Sequence, residues 1–179
     1  MIKIQEMAHA LLADVIKPGD LAVDATMGNG YDTVFLAGLG AKTVAFDVQA
    51  EALEATQAKL EEAGLSARLI HDGHEQLANY IQEPVKAAVF NLGYLPGTDK
   101  SIVTTGDHTI QALDALLDLL EVAGRIVLVV YHGHPGGQEE KKAVVSWAES
   151  LPQQAWHVMA YAPMNQVNHP PFLIVVEKR

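Results

Sequence analysis

The 179-residue chain contains no cysteine. That excludes disulfides, thiolate metal sites and cysteine nucleophiles, and it fits a reducing cytoplasm. Long apolar runs are also missing. The richest, RIVLVVY at 125–131, has the length of a strand and cannot span a bilayer. The opening MIKIQEMAHALLADVIKPGD does not read as a signal peptide, because Gln5, Glu6, His9 and Asp14 interrupt its apolar positions. Positive charge is scarce: 12 lysines and arginines stand against 22 acidic residues, for a net charge of −10. A protein that coats nucleic acid without sequence preference is basic, so that class is disfavoured. A small basic patch that docks one RNA element is compatible with the balance, since the relevant field is local. No internal repeat, low-complexity tract or interdomain linker interrupts the chain, and no metal-ligand cluster stands out.

What is present is a chain with 49% apolar residues, enough for a sizeable core in one domain over 1–179. Residues 4–16 place apolar side chains at helical spacing, and KPGD ends that helix, which is expected to pack on the domain as an appendage over 1–17. Seven segments then read as strands: 21–25, 43–47, 67–70, 87–91, 125–131, 155–161 and 172–178. Helices are expected between them at 31–39, 49–63, 74–82, 107–121 and 137–150, with Asp107 as an N-cap and Gly124 just past a helix end. Strands alternating with helices imply right-handed crossovers and a mostly parallel sheet. The last two strands are joined by APMNQVNHPP without a helix, which predicts an antiparallel final pair. The whole is the Rossmann-like, seven-stranded α/β layout of class I methyltransferases, with helices on both faces.

The stretch VDATMGNGYDTVFLA, 23–37, joins the first strand to the first crossover helix. Gly28 and Gly30 permit a tight turn and let a ligand approach the main chain. Asp24 ends the strand and can accept hydrogen bonds. Asp47 ends the second strand, where an acid grips ribose hydroxyls in nucleotide-type cofactors. The third glycine of the dinucleotide fingerprint is absent, since Thr33 stands there. A pyrophosphate-binding dehydrogenase needs that glycine, whereas S-adenosylmethionine carries no phosphates. After the third strand, HDGHE places Asp72 where it can meet an adenine amine, and the same residues also serve as an ordinary turn and helix start.

The segment AVFNLGYLPGTDK, 88–100, follows the fourth strand. Asn91, Gly93, Tyr94 and Pro96 partly match the (Asp/Asn)-Pro-Pro-(Tyr/Phe) loop of amino-methylating enzymes, with Leu92–Gly93 in place of Pro-Pro. An amine attacks a sulfonium methyl in line, so its lone pair must be aimed. The Asn91 amide oxygen and the Leu92 carbonyl are candidates to accept the amine hydrogens, and Tyr94 to stack on a planar base. A plain strand end with a Gly-Tyr turn explains the same residues. Further on, His132 and His134 end the fifth strand. An alkylamine must lose a proton before it attacks, and a histidine can take it. Both can equally pack their loop. Asn165, Asn168 and His169 are candidates to shape a base pocket, and Thr105 either contacts substrate or caps a helix.

In combination, DATMGNGYDTVFLA, FNLGYLPGTDK, YHGHPGGQEE and NHPPFLIVVEK resemble the YtqB/MnmM family over essentially the whole chain. The resemblance implies S-adenosylmethionine-dependent methylation of the 5-aminomethyl group of (2-thio)uridine at the tRNA wobble position. It implies cofactor contacts at Asp24, Thr26, Gly28, Asn29, Gly30, Asp47, Val48, Asp72, Gly73, His74 and Asn91. Asn91, Tyr94 and His134 are the expected catalytic residues. Leu92, Tyr94, Lys100, Thr105, His132 and Asn168 are expected on the substrate side. The partner is then the tRNA anticodon region, docked by few charges such as Lys100, Lys141 and Lys142; a homodimer is open. Alternatives on the same fold are an rRNA or small-molecule N-methyltransferase, and a non-catalytic nucleotide-binding protein.

Overall fold

The computed structural model describes residues 1–93 and 105–179. Helix α1 spans Ile4–Ala13 and is followed by β1 (Leu21–Asp24), α2 (Tyr31–Gly38), β2 (Lys42–Asp47), α3 (Ala50–Ala63) and β3 (Arg68–His71). Then come a 3-10 helix (His74–Asn79), β4 (Val85–Leu92), α4 (Gly106–Leu119), β5 (Leu120–Val130), α5 (Gly137–Ser150), β6 (Trp156–Tyr161) and β7 (Phe172–Lys178). The strands form one sheet in the order β3-β2-β1-β4-β5-β7-β6. Strands β1 to β5 pair in parallel, and β7 enters antiparallel between β5 and β6. The order reverses between β1 and β4, and a sheet of this kind opens its ligand crevice at the carboxyl ends of those strands.

Strand alternation sorts the core into two layers. Val23, Phe46, Phe90, Ile126 and Leu128 face α4, α5 and the 3-10 turn. Ala22, Val89, Val127 and Val129 face the other side, where Ala8 and Leu12 of α1 and Leu36 of α2 cover them. Both faces of β4 and β5 are thus buried, which is why their sequences read as near-continuous apolar runs. Arg125 fastens α1 to the sheet. Its guanidinium donates to the Leu11 carbonyl at 2.9 Å and pairs with Asp14 and Glu177 at 2.8 and 2.7 Å.

Three local expectations fail. The helix expected at 74–82 is a short 3-10 turn ending at Asn79; Pro84 follows closely and drives the residue before it into extended backbone. Gly124 does not follow a helix end but lies inside β5, which begins directly after α4. A Cβ at Gly124 would stand 2.7 Å from the Lys86 carbonyl oxygen. Only glycine fits there, beside Ala123 at φ 67°, where the β4–β5 register shifts between Val85 and Ala87. Asp107 lies in the first turn of α4 rather than at its N-cap, which is Thr105.

Candidate functional site

A cavity of about 1160 Å³ opens at the carboxyl edge of β1, β2, β4 and β5. It exceeds the usual volume of a small-ligand pocket and has room for a nucleoside and a second reactant. Its floor is the turn after β1. Gly28 and Gly30 adopt φ of 54° and 88°. At Gly30, a Cβ would stand 2.5 Å from Thr56 Oγ1 and 2.9 Å from Thr56 Cα, so the turn must be bare where α3 crosses it. Asp47 braces the same turn: its Oδ2 accepts from the Gly28 N–H at 3.0 Å and its Oδ1 from the Gln49 N–H at 2.9 Å. Each oxygen keeps further acceptor capacity, and Asp47 lies on the cavity lining.

Asp24 does not reach the cavity. It is fully buried beneath the turn, where Thr33 Oγ1 donates to Oδ2 at 2.6 Å and the Thr26 N–H donates to Oδ1 at 3.2 Å. Burial pushes its carboxyl up to about 8, helped by the neighbouring Asp32 and Asp47 and opposed by those two hydrogen bonds. In this structure it lies under the floor, off the cavity lining. Asp72 is also absent from the lining. Tyr80 Oη donates to its Oδ2 at 2.7 Å and the Gly73 N–H to its Oδ1 at 2.8 Å, which raises the Tyr80 hydroxyl. The 3-10 turn contributes Gly73, His74 and Glu75 to the wall instead. The buried His74 ring bonds the Ala25 carbonyl through Nδ1 at 2.9 Å, and burial lowers its basicity.

The opposite wall belongs to β4, β5 and α1. Thr26 Oγ1 accepts from the Asn91 N–H at 2.7 Å, which joins the end of β4 to the floor. The Asn91 side chain meets Gln5 of α1 and Asp32 of α2. The Leu92 carbonyl, expected to face an amine, accepts the Tyr131 N–H at 3.2 Å, and Leu92 is buried away from the cavity. Gly93 packs beside Tyr131 and His134: a Cβ there would meet Tyr131 Cβ at 3.6 Å and His134 Cε1 at 3.9 Å, ordinary contact distances.

His132 lies on the lining, but its ring is spent on structure. Nε2 contacts the Pro170 carbonyl at 2.9 Å and Nδ1 contacts Gln138 Nε2 at 2.9 Å. That pattern fixes the neutral ring with Nε2 as donor. Burial, with Lys141, His169 and His134 nearby, lowers its basicity, against the Pro170 carbonyl. Gln138 also donates to the His132 carbonyl at 2.8 Å, which uses both of its amide hydrogens, and the His132–Pro170 bond ties the two late loops together. Asn168 is exposed at φ 66° and stays off the lining, whereas His169, at φ 53°, lies on it.

The cavity therefore gathers Thr26, Gly28, Asn29, Gly30, Asp47, Val48, Gly73, His74, Asn91, Thr105, His132 and His134 from the expected set. It leaves out Asp24, Asp72, Leu92 and Asn168. Tyr94 and Lys100 lie outside the described residues. Sequence reasoning passed over Gln5, His9, Tyr31, Asp32, His108 and Tyr131, which the cavity includes. The one available signal was in α1, where Gln5 and His9 are four residues apart and share a face.

Comparison with known proteins agrees with this architecture. Residues 43–177 match the family described as "Putative rRNA methylase". A "putative methyltransferase" from Streptococcus mutans, crystallised in complex with SAH, is 44% identical, with a TM-score of 0.95 over 100% of this chain and 99% of that one. A "putative rRNA-methylase" from Clostridium thermocellum is 41% identical, with a TM-score of 0.97 over the full length of both. The "tRNA (mnm(5)s(2)U34)-methyltransferase, chloroplastic" of Arabidopsis thaliana is 37% identical over 92% of this chain, which spans 65% of that longer protein. On sequence match, sheet order and whole-chain superposition alike, the chain belongs to the Putative rRNA methylase family, in line with its resemblance to the YtqB/MnmM proteins.

Proposed function

We propose that the protein is an S-adenosylmethionine-dependent RNA methyltransferase whose acceptor is the 5-aminomethyl amine of (2-thio)uridine at the tRNA wobble position. One observation carries the reading: the glycine turn braced by Asp47 and the amide of Asn91 line the same cavity. The residues fit the cofactor. Gly28 and Gly30 present bare main chain, and the free lone pairs of Asp47 suit the two vicinal hydroxyls of a ribose. When bound, S-adenosylmethionine supplies a methyl group on a sulfonium, an electrophile that an amine lone pair can attack.

The chain's task is then to hold the amine and relieve it of a proton. Asn91 Oδ1 accepts from Gln5 at 2.7 Å and keeps a second lone pair for a substrate N–H. Its backbone is fixed by the Thr26 hydroxyl. The two ring nitrogens of His132 contact Pro170 and Gln138, which favours a positioning role for it over proton transfer. His134, beside Gly93 on the lining, is the histidine we assign to that step. The docking element is the tRNA anticodon region, with Lys141 poised over the Phe172 ring at 5.5 Å and Lys142 next to it. The name of the plant relative supports the wobble uridine; the name of the family supports an rRNA acceptor as the second reading.

Two measurements test this. Calorimetry should show binding of S-adenosylhomocysteine and none of NAD; NAD alone binding would remove the cofactor assignment. Wobble nucleosides from tRNA of a strain lacking the gene should be weighed against the parent. Loss of 5-methylaminomethyl and gain of 5-aminomethyl is expected, and unchanged nucleosides would reject the tRNA acceptor.

A further inference from the structure

Asn91 is held by side chains from two helices, backed by Tyr131 just after β5. Its Nδ2 donates to Asp32 Oδ2 on α2. Its Oδ1 accepts from Gln5 Nε2 on α1 at 2.7 Å. Gln5 Nε2 also donates to the Tyr131 hydroxyl at 2.9 Å, so both of its hydrogens are used. Asp32 is only 7% exposed, and its other oxygen meets His9 Nε2 at 2.7 Å. The His9 ring is in turn stacked on Phe35, with centroids 3.8 Å apart and planes within 7°.

These contacts have a polarity. A carboxylate accepts and does not donate, so the side of Asn91 that faces Asp32 must be its NH2. The side that faces Gln5 must be its oxygen, because Gln5 presents N–H there. A flipped Asn91 would set oxygen against the Asp32 carboxylate and N–H against N–H at Gln5. The last torsion of an asparagine is broad and roughly two-fold by itself, so the orientation is imposed by the shell.

We infer that Asp32, steadied by His9, together with Gln5, are positioning residues that lock the Asn91 amide with its oxygen toward the acceptor amine. The inference rests on the reading of Asn91 as the group that receives a substrate N–H. It makes α1 part of the acceptor half of the site. None of these three residues needs to touch the reacting atoms; each acts through Asn91.

The test is Gln5→Glu beside Gln5→Ala. Glutamate keeps the size and reverses the polarity: it asks Asn91 for its NH2, in competition with Asp32. Alanine removes one donor and reverses nothing. Turnover number on aminomethyl-uridine RNA should fall about tenfold in Gln5→Ala and about a hundredfold in Gln5→Glu, as one lost and one inverted hydrogen bond would give. The dissociation constant of S-adenosylhomocysteine should stay within about twofold in both, because the cofactor half is untouched. A space-filling role for Gln5 requires the opposite ranking, since glutamate preserves volume and helix propensity. Gln5→Glu as active as Gln5→Ala, or equal losses of turnover and cofactor affinity, would overturn the inference. Nitrogen-15 NMR of the Asn91 side-chain NH2, assigned by its loss in Asn91→Asp, gives a readout without substrate. Those signals should move in Gln5→Glu, and unmoved signals would also overturn it. Moved signals with a wild-type enzyme inert toward aminomethyl-uridine RNA would uphold the locking shell and reject the acceptor.

Discussion

Asn in place of Asp24 should stabilise this protein, and more so as the pH rises. Asp24 is wholly buried under the glycine turn, and its carboxyl titrates near 8 in the folded chain against 3.8 for an ordinary aspartate. Between those values the folded state holds a proton that the unfolded state has released. Stability must therefore fall as pH rises, by about 1.4 kcal/mol per unit across that window. Above 8 the carboxyl is charged in both states and the slope ends, with a total cost on the order of 5 kcal/mol. The amide of Asp24→Asn carries no charge at any pH. Its oxygen can accept the Thr26 N–H, and its NH2 can donate to Thr33 Oγ1, where the carboxylate accepted. Urea unfolding of both proteins without cofactor, at pH 5, 6, 7, 8 and 9, reports this group together with the Asp32 and Asp47 carboxylates that repel it, because titrations elsewhere cancel in the difference. From pH 5 to 7 the variant should gain about 3 kcal/mol over the wild type. A difference that stays flat across that interval would refute the reasoning, since it would mean that Asp24 keeps its ordinary acidity despite its burial.

Other substitutions probe other parts of the frame. Gly30→Ala forces a Cβ against Thr56 at a left-handed φ, and thermal unfolding should show a loss of about 2 kcal/mol or more. Arg125→Met removes the tie between α1 and the sheet and leaves the Leu11 carbonyl and Glu177 without their donor. It should cost about 1–3 kcal/mol, with hydrogen exchange accelerated in α1 more than in α5. His74 and His132 are held neutral below the ordinary histidine value of 6.5, so the unfolded chain binds protons that the folded one refuses. Their contribution to stability should decline as pH drops from 6.5 toward 5, opposite in sign to that of Asp24, and in urea titrations His132→Gln should gain on the wild type over that interval.

The succession of strands and helices was legible because β1 through β5 carry period-two or continuous apolar runs while the segments between them carry helical spacing. The glycine turn and Asp47 were legible for a related reason: both lie at strand ends, and topology sends every such end to one edge. What could not be read was the direction in which polar side chains turn once they arrive there. Asp24 and Asp72 occupy the expected strand ends, yet Thr33 and Tyr80 claim them from nine and eight residues downstream. Gln5 and His9 sit in a helix whose apolar spacing only says that one face is buried. Their place in the site comes from α1 lying across β5 and β7, a tertiary contact between the start and the end of the chain. Gly124 failed as a helix terminator because its constraint is the Lys86 carbonyl on the neighbouring strand.

The two walls of the cavity share a foundation. The Thr26 hydroxyl ties the end of β4 to the glycine turn, Asp32 of α2 holds both Asn91 and His9, and Leu36 of α2 packs with Ala8 and Leu12 of α1. A change on the inner edge of α1 is therefore felt by the helix that follows the glycines. A lineage built on this frame can change its acceptor only through substitutions that spare the α1–α2 contacts on which the methyl-donor side also leans.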